Sequence, residues 1–138
     1  MKKYLILILI TISIKSFACD CGIKKLSEMQ KTEIINSECI FIGEVIEVND
    51  SDFTFKIKVT ESLDGGDAIG NIYIGRNWKT CSPYIDKKGK WIVYGNLENG
   101  FLRLNMCGIS RSFDYPIVDM IIPPPSTEKN ELERKKRI

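Results

Sequence analysis

Two cysteines one residue apart, Cys19 and Cys21, stand immediately after an apolar leader, and no other feature narrows the fold of this chain so much. Cysteines this close do not bridge each other comfortably. Each must reach another part of the chain and tie down its start. Lys2 and Lys3 open the leader, Tyr4 to Ile14 follows as a nearly unbroken apolar stretch, and Ser16 and Ala18 place small side chains three and one positions before Cys19. This is the layout of a secretory signal peptide over residues 1–18. The apolar run is too short for a comfortable membrane span. Cleavage after Ala18 would make Cys19 the first residue of a secreted, periplasmic or cell-surface protein.

Without the leader 120 residues remain, room for one domain. The leader takes three lysines and no acid with it, so the net charge of +2 becomes −1. No global basic field is left to draw nucleic acid. The chain contains no histidine. That removes Ser-His-Asp and Cys-His catalysis, a histidine general base and an imidazole metal site. Paired carboxylates are the remaining catalytic candidates. However, Asp50, Asp52, Asp64 and Asp67 fall in polar, turn-like stretches that read as solvated loops. No phosphate-cradling glycine loop occurs, and Asp64-Gly65-Gly66-Asp67 reads as a turn. The expectation is a protein that is not an enzyme, carries no cofactor and holds no metal of its own.

Ser27 followed by Gln30 resembles a capping box and predicts a short helix from about Glu28 to Ile35. Cys39 to Val48 reads as a strand. Phe53, Phe55, Ile57 and Val59 alternate with Thr54, Lys56 and Lys58, the period of a half-buried strand. Ile72 to Ile74, Trp91 to Tyr94 and Phe101 to Met106 give three more strands. The last two are joined through Asn99-Gly100, a hairpin signal. The predicted fold is all-β: a five-stranded Greek-key barrel of the OB type with one or two short flanking helices, stapled by disulfides. It occupies residues 19–122, with Ser110 to Ile122 as a short helix or docked extended segment. Pro123-Pro124-Pro125 ends regular structure, and residues 123–138 read as a charged, disordered tail. Phe41, Phe53, Phe55, Trp91 and Tyr94 could form a base-stacking face on such a barrel. Their period-two placement assigns them to the core instead, and nucleic acid is not the expected partner.

Export places the five cysteines in an oxidising compartment, where they pair. The odd count leaves one over. Cys39 lies in an apolar strand and suits a buried thiol, whereas Cys81 and Cys107 lie in or beside the two later loops. The spacing does not fix which cysteine meets which, and the Cys-x-x-Cys pattern of redox sites is absent.

In order and spacing these pieces resemble the netrin-like family, especially the N-terminal domain of the tissue inhibitors of metalloproteinases. The resemblance covers roughly Cys19 to Cys107. It rests on the Cys-x-Cys start, on Ser37-Glu38-Cys39-Ile40-Phe41-Ile42-Gly43, and on Val59 to Gly65, where Asp64 stands at a position usually held by lysine. It continues with Cys81-Ser82-Pro83-Tyr84, with Gly89-Lys90-Trp91-Ile92-Val93-Tyr94-Gly95 and with Cys107. It implies an OB barrel whose N-terminal cysteines are bridged to the two later ones, Cys19 to Cys81 and Cys21 to Cys107. Those loops of about 62 and 86 residues are each worth roughly 4 kcal/mol in chain entropy.

In the inhibitors, the first cysteine's α-amine and carbonyl oxygen chelate the protease's catalytic zinc. The resemblance carries that role to Cys19, with Asp20, Cys21 and Ser82 on the flanking ridge and the zinc belonging to the partner. Asp20 stands where the inhibitors aim a small hydroxyl residue into the specificity pocket. A carboxylate there calls for a basic pocket. The contrasting expectation is a non-inhibitory envelope or surface module that binds some other protein, its bridges purely structural. A lipid on Cys19 would anchor such a module to a membrane and would block the amine.

Overall fold

The apolar run that begins at Cys39 is continuous because both of its faces are covered. The computed structural model describes residues 19, 21, 22, 24–114, 129, 130 and 132–134. In it, strand β1 (Cys39–Asn49) sends Cys39, Phe41 and Val45 into one apolar cluster and Ile40 and Ile42 into another. A strand buried on both sides loses the polar alternation that marks a half-exposed one. β2 (Thr54–Ser62) keeps that alternation, with Phe55, Ile57 and Val59 facing inward.

β3 (Ile72–Arg76), β4 (Gly89–Glu98) and β5 (Phe101–Leu104) complete the wall. The strands neighbour in the order β1-β2-β3-β5-β4, and β4 pairs again with β1, closing a five-stranded barrel. The β3–β5 contact is parallel, through Gly75 and Leu102, and the other barrel ladders are antiparallel. This is the OB-type barrel that the sequence predicts. Register shifts between Ile42 and Gly43 and between Val45 and Glu47 bend β1 enough to close the wall. Gly75 serves closure too. A Cβ there would fall within the Phe55 ring, so only glycine lets β3 lie against the core. The β4–β5 hairpin turns at Asn99 and Gly100, with φ of 51° and 80°. That is the conformation for which Asn-Gly is selected.

The inner cluster joins Cys39, Phe41, Phe55, Ile57, Trp91, Val93 and Leu102. The outer cluster lies on the far side of β1 and β4, where Ile40, Ile42, Ile92 and Tyr94 are covered by Leu63, Ile109 and Leu132, with Met29 and Phe113 packed against them. The segment expected to be a short helix or a docked extended segment begins extended: β6 (Arg111–Ser112) pairs with Trp91 and Ile92 of β4. Residues 115–122 lie outside the described residues.

Four expectations need correction. Helix α1 (Leu26–Asn36) starts ahead of Ser27, so the Ser27–Gln30 box caps nothing. The Lys25 carbonyl instead accepts the N–H groups of Glu28 and Met29. Gln30 and Glu33 are the buried residues of the helix, and Glu33 accepts from the Asn105 amide. Phe53 is not on the inward face of β2. It precedes the strand at φ 61° and is half-buried in a turn. Asp67 is not solvated: it is buried and accepts the Tyr73 hydroxyl at 2.7 Å. Within the tail, Lys129, Asn130 and Leu132 to Arg134 are helical. Leu132 is buried in the outer cluster and Lys129 Nζ lies 2.9 Å from Glu61 Oε2, so an apolar anchor and an ion pair hold the segment that its charge suggested would be free.

Candidate functional site

The two bridges form where the resemblance puts them, Cys19 with Cys81 and Cys21 with Cys107, at Cα separations of 5.6 and 5.3 Å. One backbone hydrogen bond sets them side by side. The Cys107 N–H donates to the Ser82 carbonyl at 3.0 Å, joining the loop that carries Cys81 to the turn that carries Cys107. Cys107 itself adopts φ 57°, a left-handed conformation rarely held by a residue with a Cβ. The Gly108 N–H closes that turn on the Asn105 carbonyl at 3.0 Å.

Beneath the turn, Asn105 gathers three elements. Its amide donates to Glu33 Oε2 at 2.7 Å and to Ser37 Oγ at 2.8 Å, its Oδ1 accepts from Asn96 Nδ2 at 2.7 Å, and its N–H donates to the Tyr94 carbonyl at 3.1 Å. Helix α1, strand β4 and the Cys107 turn are thereby held in one frame. The sequence reading missed Asn105. A lone asparagine carries no spacing signal, and its role appears only once the barrel brings residue 33 to residue 105.

The surface of this frame is a ridge. Cys21 and Ser82 are exposed and Cys19 is half-buried. Met106, 45% exposed, stands over the first bridge with its Sδ 3.8 Å from Cys19 Sγ. A cleft of about 180 Å³ separates the second bridge from α1, lined by Cys21, Gly22, Lys24, Met29, Thr32 and Glu33 among others. Of the predicted site residues, Cys19, Cys21, Cys81, Cys107 and Ser82 therefore come together. Asp20 and residues 1–18, the stretch expected to be a signal peptide, lie outside the described residues. Among the described residues, no group of three or more histidine, cysteine, aspartate or glutamate side chains could hold a metal ion, and no helix is long and apolar enough to cross a membrane.

The fifth cysteine is the buried thiol expected. Cys39 is free and 3% exposed. Burial first, then the nearby Asp67 charge, pushes its thiol up from 9.0 to about 12. Tyr73, whose hydroxyl bonds Asp67, is raised above its ordinary range by burial and by that same carboxylate. A thiol held protonated is neither nucleophile nor metal ligand, so Cys39 belongs to the core and not to the ridge.

Compared with known proteins, the chain matches no protein-family model and no curated protein.

Proposed function

We propose that this chain is an exported, non-enzymatic binding module of netrin-like kind, and that it inhibits a zinc metalloproteinase through its N-terminal ridge. The carrying observation is the paired staple: Cys19 and Cys21 are each bridged to a loop of the barrel, and those loops are bonded to each other through Cys107 and Ser82. A terminus held this way has already lost its chain freedom, so docking costs less ordering entropy. With cleavage after Ala18, the Cys19 amine and carbonyl oxygen can form a five-membered chelate. A catalytic zinc keeps one position open for water, and the chelate would take it. The amine must be neutral to bind, so inhibition weakens as pH falls below about 8. Cys21, Ser82 and Asp20 would flank the chelate, with Asp20 favouring a partner that presents a basic pocket. The disulfide on Cys19 occupies the sulfur that a lipid thioether would need, which supports an unlipidated terminus.

The test compares the chain beginning at Cys19 with a form carrying one alanine before it, against a panel of zinc metalloproteinases. The native terminus is expected to inhibit at least one of them. The extended form should be weaker by about a hundredfold or more, since both chelating atoms are displaced. Equal potency of the two forms would refute the chelation mechanism.

A further inference from the structure

Beside the ridge, a second cleft of about 620 Å³ lies between the β1–β2 turn, the end of β3 and strand β5. Cations on and around it are seated on aromatic rings. The Arg103 guanidinium carbon lies 4.3 Å from the Trp78 ring centroid, Arg76 lies 3.9 Å from Phe101, and Lys79 Nζ lies 5.7 Å from Phe53. The floor is fixed. Trp78 Nε1–H donates to the Leu104 carbonyl at 2.8 Å, the Asn77 N–H to the Phe53 carbonyl at 2.7 Å, and the buried Asn77 amide exchanges two hydrogen bonds with the Ile85 backbone. Asp52 is the one carboxylate in the described lining, its Oδ1 taken by the Thr54 N–H and hydroxyl, and just outside that lining Glu98 Oε2 lies 3.5 Å from Arg103 Nε. Three cations thus concentrate at one place on a chain whose charge after residue 18 is −1.

We infer that this cleft binds an acidic, extended segment of a protein partner. Arg103 already shares its Nε with Glu98, so Arg76, stacked on Phe101, and Lys79 are the cations that meet the segment's carboxylates. A guanidinium stacked on a ring keeps its in-plane N–H fork for that contact. The ring also limits the rotamers that binding would otherwise freeze. Cations with rings beside them suit a segment that carries apolar side chains as well as carboxylates. The cleft is continuous with the ridge. Trp78 and Arg103 line it together with a neighbouring cleft under α1, and Thr32, Glu33 and Met106 line that one together with the cleft beside Cys21. That neighbouring cleft also carries Glu33 and Glu98, so the acidic part of the segment is confined to the end held by Arg76 and Lys79. None of this depends on zinc chelation, and an alanine before Cys19 would leave it untouched.

The experiment is fluorescence anisotropy on the chain beginning at Cys19. The probe is a labelled octapeptide alternating glutamate with leucine, and the control has glutamine at every glutamate. The acidic peptide should bind saturably, at least tenfold tighter than the control, and should weaken as salt rises from about 0.05 to 0.5 M. The double variant Arg76→Gln, Lys79→Gln keeps much of the aliphatic stems and should lose at least tenfold in affinity with an unchanged melting temperature. Lys58→Gln, on the outer face of β2 and outside the cleft lining, should bind like the parent. Equal binding of the two peptides, no saturable binding, no effect of the double variant, or tighter binding of an oligothymidylate of the same length would each overturn the inference.

Discussion

Replacing Cys21 and Cys107 together by alanine should cost about 3.6 kcal/mol, less than their separation along the chain suggests. The bridge spans 86 residues, and a loop of that length alone would be worth about 4.6 kcal/mol. With Cys19–Cys81 intact, however, the unfolded chain is already closed. From Cys21 it is two residues back to Cys19, across the bridge, then twenty-six from Cys81 on to Cys107, so the loop that opens is about 28 residues long. By the same path, removing Cys19–Cys81 alone also opens about 28 residues, and also costs about 3.6 kcal/mol, although its own span is 62. The two single-bridge variants should thus match. Removing both should cost about 8 kcal/mol, comparable to the whole stability of a small domain. Alanine keeps the Cβ, so the left-handed backbone at Cys107 is no better or worse accommodated than before. Urea unfolding followed by tryptophan fluorescence reports the loss, because Trp91 is buried in the inner cluster. A loss below about 1 kcal/mol for either variant, or a difference above about 2 kcal/mol between them, would refute the shared-loop reasoning.

Three further outcomes follow from the core and its cover. Below pH 9 the Cys39 thiol is protonated in both states. Above it the unfolded chain gives up the proton first, because the folded thiol titrates near 12. Stability should therefore fall with rising pH by up to about 1.4 kcal/mol per unit across that window. Cys39→Ala should flatten the decline, leaving the Tyr73 share, and equal slopes in urea series from pH 8 to 11 would contradict the assignment. Gly75→Ala drives a methyl into the Phe55 ring and should lower stability by about 1–3 kcal/mol by thermal melting, with an unchanged melting temperature counting against the closure argument. Leu132→Ala should cost about 2–4 kcal/mol if the C-terminal helix covers Tyr94 and Ile92, whereas a loss under about 0.5 kcal/mol would mean that it does not.

The barrel was legible because period two and an Asn-Gly turn are local signals. Phe55, Ile57 and Val59 announce an inward face, and Asn99-Gly100 announces a hairpin, whatever the rest of the chain does. Phe53 shares their spacing but not their strand, since nothing in the pattern marks where the turn hands over to β2. The Ser27–Gln30 box failed for a related reason. Local capping is worth only about 1 kcal/mol, and the helix starts before Ser27 with the Lys25 carbonyl taking the Glu28 and Met29 N–H groups. The four bridged cysteines and Ser82 were legible through their order along the chain. Asn105 and the ring-seated cations were not, because each depends on partners far away in sequence, such as Glu33 for Asn105 and Trp78 for Arg103. Asp67 was missed although its partner Tyr73 is near, because the polar Asp-Gly-Gly-Asp stretch reads as a solvated turn.

The central claim is that the chain presents a stapled terminus whose leading nitrogen is bare. Peptide mapping of the exported protein under non-reducing conditions, with its N-terminal residue identified by mass, tests this most directly. The account predicts a chain that starts at Cys19 with an unmodified amine, bridges 19–81 and 21–107, and Cys39 as a free thiol. A terminus that is acylated or begins elsewhere, or a Cys19 found reduced or joined to any residue but Cys81, would contradict it.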